Sequence, residues 1–222
     1  MAQEIKTPII IVNFKTYENS SGKKAVQLAK ACEKAGKGAV AVAVQAADIA
    51  NVCKAVSIPV FAQHIDNIAY GKNTGFTLLE TVKEAGASAT LLNHAEHKLE
   101  LDILADTIKL CKGKLPTIVC AADTKEAAKI AELNPDFIAV EIPELISGDV
   151  SIAKANPEII TKAIEAVHKV NAIPVLAGAG VQDGSDVKKA LELGTVGVLI
   201  SNAVVNSDNP EEVVRSLVDG IE

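Results

Sequence analysis

Eight short apolar runs recur along the chain, and they constrain its fold more than any other feature. The runs are unbroken rather than alternating, which predicts strands buried on both faces and therefore a parallel sheet covered by helices. They are IIIVNF at 9–14, AVAVAV at 39–44, PVFAQH at 59–64, ATLLNH at 89–94, TIVCAA at 117–122, FIAVEI at 137–142, PVLAGAG at 174–180 and VGVLIS at 196–201.

Segments with helical spacing separate and follow these runs, and several begin with a helix-start signal such as Asn156-Pro157 or Asn209-Pro210. They span residues 22–36, 47–56, 77–86, 97–112, 124–133, 157–170, 184–193 and 210–220. An open doubly wound sheet usually stops at about five or six strands, whereas eight βα units in roughly 200 residues fit a closed barrel. The pattern predicts an α/β fold, a closed (β/α)8 barrel, as one domain over residues 1–222.

Charge and hydropathy exclude several classes of partner. Lys and Arg number 22 against 28 Asp and Glu, and no basic cluster suggests a nucleic-acid groove. The aliphatic run at 9–12 is too short for a signal peptide, and no stretch approaches the roughly 18 apolar residues of a membrane span. We expect a cytoplasmic protein without nucleic-acid or membrane partners.

The four cysteines, Cys32, Cys53, Cys111 and Cys120, have no CxxC spacing and no paired histidines nearby. Neither a zinc site nor a disulfide framework is indicated. We expect them to be reduced and mostly buried.

Polar residues terminate several apolar runs, and in a (β/α)8 barrel the carboxyl ends of the strands meet at one mouth, where active sites lie. Small residues end the last two runs, at 178–180 and 201–203, and they would let backbone amides approach an anion such as phosphate. The polar residues are Asn13, Lys15, Gln63, His64, Asn93, His94, Glu96, Asp123 and Glu141.

This rim has too few clear acidic or histidine ligands for a glycosidase pair or a metal cage. It suits proton transfer next to a carbonyl on a small phosphorylated molecule. Glu141 would remove a proton from carbon, His94 would donate a hydrogen bond to the developing enediolate, and Lys15 would supply positive charge. Burial of an unpaired Glu141 carboxylate would cost free energy, which favours a functional role for this residue. His64, in contrast, is interpreted as a structural or rim residue.

Four separated motifs resemble those of the triosephosphate isomerase family in order and spacing: Asn13-Phe14-Lys15, residues 93–96 (NHAE), residues 139–141 (AVE) and residues 178–180 (GAG). Within that family the chain is similar to the short archaeal-type form. The resemblance implies a TIM barrel that interconverts dihydroxyacetone phosphate and D-glyceraldehyde 3-phosphate in glycolysis and gluconeogenesis. It implies no organic cofactor and no metal.

The resemblance also implies residue roles. Glu141 would shuttle the proton between C1 and C2, and His94 would be the neutral electrophile at the carbonyl oxygens. Lys15 would attract the substrate, and Glu96 would hold Lys15 in place. Asn13 would form a hydrogen bond with a substrate oxygen. The phosphate would meet backbone amides near Ser147, Gly180, Ser201 and Asn202, while Ile146 would lie in a closing loop at 142–149.

The resemblance further implies a homodimer or homotetramer. The segment at 70–75 is similar to the family's protruding third loop, so Thr74 would complete the site of a neighbouring subunit. Ala95, Ile142 and the hinge at 147–149 depart from the family pattern, which predicts slower turnover, weaker phosphate affinity or altered specificity.

Two other functions stay open at this point. A Schiff-base aldolase would use Lys15 as nucleophile, although pairing with Glu96 would keep that lysine charged. A catalytically impaired relative would bind a phosphorylated metabolite without converting it, a hypothesis that the departures in the closing loop motivate.

Overall fold

The computed structural model describes residues 5–141, 153 and 156–222. Eight parallel strands pair in chain order and close into one barrel, which confirms the predicted (β/α)8 fold. The strands are β1 Ile9–Asn13, β2 Val40–Val44, β3 Val60–Ala62, β4 Ala89–Leu92, β5 Thr117–Ala121, β6 Phe137–Val140, β7 Val175–Ala177 and β8 Gly197–Ile200.

Helices follow the strands and surround the barrel. Those in the described residues are α1 Lys23–Ala35, α2 Ile49–Ala55, α3 Leu79–Glu84, α4 Leu101–Cys111, α5 Thr124–Glu132, α6 Pro157–His168, α7 Gly184–Glu192, α8 Asn202–Val205 and α9 Pro210–Asp219, with a 3-10 turn at Glu18–Ser20. None of the helices in this part of the chain is long and apolar enough to cross a membrane.

Helix α4 begins four residues later than its predicted start at 97. Glu100 has an extended backbone with a ψ of 146°, and the Leu99 amide donates to the side chain of Asn93 rather than to a helical carbonyl. The one-turn helix α8 was not predicted, because four residues are too short to show a helical period.

Two apolar layers hold the strands, because successive side chains point to opposite faces. Ile9, Ile11 and Phe61 belong to the cluster inside the barrel, whereas Ile10 and Val12 belong to the cluster between strands and helices. The same alternation makes Asn13 the next inward residue of β1, at the mouth of the barrel.

Strand β1 closes the barrel by pairing with β8 as well as with β2. At this seam Ile9 pairs with Gly197, which has a positive φ of 148°. A Cβ on Gly197 would lie 2.0 Å from the Ile9 carbonyl oxygen, so only glycine allows the two strands to approach this closely.

The cysteines follow their prediction. Cys32, Cys111 and Cys120 are buried, and Cys53 is partly buried. Burial raises the pKa of Cys32 and of Cys111 to about 12, so these thiols stay protonated at neutral pH.

Candidate active site

A pocket opens at the carboxyl ends of the strands, and most of the predicted site residues line it. Its walls are Asn13, Lys15, His94, Glu141, Gly178, Gly180, Val181, Gln182, Leu199, Ile200, Ser201, Asn202 and Ala203. Glu96 reaches the pocket through its contact with Lys15. The structure thus brings together residues from β1, β4, β6, β7 and β8.

Several predictions fall elsewhere. Ile146 and Ser147, together with Ile142 and residues 148–149, lie outside the described residues. Thr74 is exposed on the loop between β3 and α3, so its predicted role needs a second subunit.

The side chains of Glu141 and His94 adjoin each other in the lining of the pocket. The His94 Nε2 lies 3.3 Å from Glu141 Oε1, and both side chains are buried. The second carboxylate oxygen, Oε2, is buried and accepts no hydrogen bond within the described residues. A buried carboxylate with an unused oxygen is costly unless a ligand occupies the space before it.

Cys120 lies inside the barrel, close to Glu141. Its own burial, followed by the negative charge of Glu141, raises the pKa of Cys120 well above its usual range. The neutral thiol therefore adds no second charge beside the carboxylate.

A backbone amide selects the tautomer of His94. The Glu96 N–H donates to His94 Nδ1 over 3.1 Å, so the ring proton resides on Nε2. That Nε2–H points toward Glu141 and the pocket, where it can donate to a substrate oxygen.

Both the side-chain ammonium group and the backbone amide of Lys15 have partners in the site. Its ammonium Nζ lies 2.6 Å from Glu96 Oε1, and its amide donates to Asn13 Oδ1. Its backbone adopts a left-handed φ of 48°, which is uncommon for a residue other than glycine. Gln63 Nε2 donates to the Lys15 carbonyl over 2.9 Å and to Asn13 Oδ1 over 3.3 Å. The sequence placed Gln63 at a strand end but did not indicate this supporting contact.

Not every polar strand end faces the mouth. Asp123 caps α5, because its side chain accepts from the Glu126 amide. Asn93 is turned toward β5 and α5, where its Nδ2 donates to the Cys120 carbonyl. The prediction that these two side chains converge on the pocket is wrong, because both side chains form hydrogen bonds that direct them away from it.

His64 stacks on His97 with ring centroids 4.2 Å apart, and its Nε2 lies 3.2 Å from Asp66. Both rings line a hollow beside Lys15, on the opposite side from the small-residue turns. Burial is the main cause of a lowered pKa for His64, reinforced by His97 and opposed by Asp66.

The side of the pocket formed by β7 and β8 is built from small residues. A Cβ on Gly178 would lie 2.5 Å from Glu141 Cγ, so glycine leaves the space that the glutamate occupies. Gly180 has a left-handed φ of 68°. The Ser201 hydroxyl is buried and has no hydrogen-bond partner among the described residues. This wall combines room for a ligand with an unused polar group.

Across the described ranges, no three His, Cys, Asp or Glu side chains lie close enough to share a metal ion.

Comparisons with known proteins match this chain along most of its length. The family model for triosephosphate isomerase matches residues 8–217. The chain is 44% identical over 216 residues to the triosephosphate isomerase of Methanothermus fervidus, covering 95% of this chain and 97% of that protein. It is 42% identical to the triosephosphate isomerase of Methanocaldococcus jannaschii, covering 95% of this chain and 98% of that protein.

A solved structure shows the same fold. The crystal structure of triosephosphate isomerase from Bartonella henselae superimposes with a TM-score of 0.75 at 20% identity. The similarity covers 97% of this chain and 99% of that one.

Proposed function

The chain belongs to the triosephosphate isomerase family, and we propose that it interconverts dihydroxyacetone phosphate and D-glyceraldehyde 3-phosphate with Glu141 as base and His94 as electrophile. It is an intramolecular aldose–ketose isomerase, an activity that serves glycolysis and gluconeogenesis. The buried pair of His94 Nε2 and Glu141 Oε1, 3.3 Å apart at the mouth of the barrel, is the observation that carries the assignment of roles.

Glu141 moves the proton. Its carboxylate takes a proton from C1 of dihydroxyacetone phosphate, which leaves an enediolate, and returns the proton to C2 while the hydroxyl proton moves from the oxygen on C1 to the oxygen on C2. The unpartnered Oε2 supports this role, because no hydrogen bond from the described residues uses its acceptor capacity. Triosephosphate isomerase is itself the standard example of a glutamate base paired with a neutral histidine, so these roles come from the family.

His94, Lys15 and Asn13 stabilise the charge that the proton transfer creates. The Nε2–H of His94 donates to the oxygens at C1 and C2, and the Lys15 ammonium adds positive charge nearby. The 2.6 Å contact between Lys15 and Glu96 supports a fixed ammonium rather than a free amine, which disfavours a Schiff-base aldolase.

The phosphate binds on the opposite wall, near Gly180, Ser201 and Asn202. The buried Ser201 hydroxyl supports this assignment, since it has no partner among the described residues. We propose that Ser147 adds a contact and that Ile146 lies in the loop that closes over the substrate. Closure would exclude water and so protect the enediolate phosphate from decomposition.

We also propose a homodimer or homotetramer in the cytoplasm, each subunit being a single barrel domain. Tyr70 and Phe76 flank Thr74 and are 74% and 59% exposed. Two large exposed apolar side chains on one loop favour an interface. In that interface Thr74 would reach the Lys15 region of the neighbouring subunit.

The direct test is a coupled assay for glyceraldehyde 3-phosphate formation from dihydroxyacetone phosphate. Loss of a general base typically costs about 10²–10⁴-fold, so we expect a fall of that size in Glu141→Gln. The matched control is Glu132→Gln, which makes the same change on the exposed end of α5 and should leave the rate unchanged.

Two results would overturn the proposal. Equal inactivity of the wild type and Glu141→Gln, with phosphate compounds still bound, would identify a binding protein instead. Borohydride trapping of a substrate adduct on Lys15 would identify an aldolase.

A further inference from the structure

Successive side chains of β4 alternate between the inside and the outside of the barrel, but this alternation is reversed after the strand ends. The reversal brings His94 into the pocket. Leu91 points into the barrel and Leu92 points out toward the helices. Continued alternation would turn Asn93 inward and His94 outward. Instead, Asn93 has a left-handed φ of 58°, and His94 lines the pocket.

The side chain of Asn93 forms hydrogen bonds that hold this turn. Its Nδ2 donates to the Cys120 carbonyl over 2.9 Å and to Glu126 Oε1 over 3.0 Å. Its Oδ1 accepts from the Leu99 amide over 3.0 Å. Asn93 is only 2% exposed, so these contacts tie the end of β4 to β5, α5 and the turn before α4 without competition from water.

Glu126 is a charged acceptor for this amide. It also accepts from the Lys98 ammonium and from the Ala122 amide. Burial alone would raise the pKa of Glu126, but these hydrogen bonds, together with that from Asn93, lower it. The carboxylate is therefore ionised at neutral pH and strengthens the bond from Asn93.

The position favours asparagine over its nearest substitutes. Glycine adopts a left-handed φ without strain but has no side chain to anchor. Aspartate offers only acceptors, which would face the Cys120 carbonyl and the Glu126 carboxylate. Asparagine combines tolerance of this backbone conformation with two donors and one acceptor.

We propose that Asn93 is a positioning residue for the isomerisation: its amide anchors hold the backbone turn that aims His94 Nε2 at the reacting oxygens. The inference rests on the proposed role of His94. A misplacement of about 1 Å can cost on the order of 10²-fold in rate, so the anchors set the rate although Asn93 lies outside the pocket lining.

The test is Asn93→Gly, which permits the same φ but removes all three side-chain bonds. We expect kcat to fall about 10–100-fold, because the ring of His94 loses its fixed aim. KM should stay within about threefold, since the phosphate wall is unchanged. Asn93→Asp should be at least as impaired, because its carboxylate repels Glu126.

The matched control is Asn134→Gly. Asn134 also has a left-handed φ, of 56°, but it is exposed and lies between α5 and β6 at the other end of the barrel. Both variants remove an asparagine from the same backbone conformation, so any shared loss reflects general destabilisation. We expect wild-type kcat for Asn134→Gly.

Nitrogen NMR of the labelled histidines separates positioning from stability. The wild-type His94 ring should show one tautomer with its proton on Nε2, whereas Asn93→Gly should show averaged or broadened ring signals. Wild-type kcat together with an unchanged His94 spectrum in Asn93→Gly would overturn the inference. So would a loss of activity that matches only the unfolded fraction measured by circular dichroism. Because the NMR readout needs no turnover, it distinguishes this failure from failure of the proposed function.

Discussion

Replacing Gly178 by alanine should displace the base Glu141 while leaving its carboxylate chemically unchanged. The added Cβ would lie 2.5 Å from Glu141 Cγ and 3.2 Å from the Val140 carbonyl oxygen. Carbon atoms in contact normally lie about 3.5–4.0 Å apart, so Glu141 must move by about 1 Å or more. Gly178 is not among the glycines with positive φ, so alanine adds no backbone strain.

The expected cost follows from this displacement. A shift of about 1 Å at the reacting group corresponds to roughly a 10²-fold loss in kcat, or about 2.7 kcal/mol. Crowding in a packed interior typically destabilises by about 1–3 kcal/mol, so the variant should still fold. The coupled isomerase assay and urea unfolding measure the two effects.

A double-mutant cycle with Glu141→Ala identifies the cause. Removal of the glutamate beyond its Cβ abolishes the main clash, so Gly178→Ala should destabilise this background far less than it destabilises the wild type. Wild-type kcat in Gly178→Ala, or equal destabilisation in both backgrounds, would refute the reasoning.

Two further changes probe the neighbouring groups. Ser201→Ala should raise both KM and the inhibition constant of inorganic phosphate about tenfold with little change in kcat, because a hydrogen bond to a charged group is lost; unchanged constants would exclude the hydroxyl from phosphate binding. His64→Gln should flatten the dependence of unfolding free energy on pH. The pKa of His64 in the folded state lies below its unfolded value of about 6.5. The wild type therefore loses stability as the pH falls from about 6.5 toward the folded-state pKa. Identical pH profiles of the two proteins in urea unfolding would contradict this prediction for His64.

The strands were predictable because the burial of each strand is visible in its own local sequence. A strand covered on both faces needs apolar residues at every position, and Ile9–Val12 shows this without reference to any other segment. Asn13 could likewise be placed, since it continues the inward series of Ile9 and Ile11. Local periodicity is sufficient wherever the backbone stays regular.

The rest of the site depends on contacts between distant segments. Asn93 and Asp123 also follow apolar runs, yet one is bound by β5 and α5 and the other caps a helix. A single left-handed residue exchanged the directions of Asn93 and His94, and no periodicity reveals such a turn. The need for glycine at 178 appears only when β7 lies beside Glu141.

The seam between Ile9 and Gly197 has a consequence for synthesis of the protein. During translation β1 leaves the ribosome long before β8, so one edge of the growing sheet must wait for its neighbour. Until β8 and residue 201 emerge, Lys15, two residues beyond the end of β1, cannot share a pocket with Ser201. A nascent chain stalled before that glycine would therefore be both inactive and exposed to pairing with other chains.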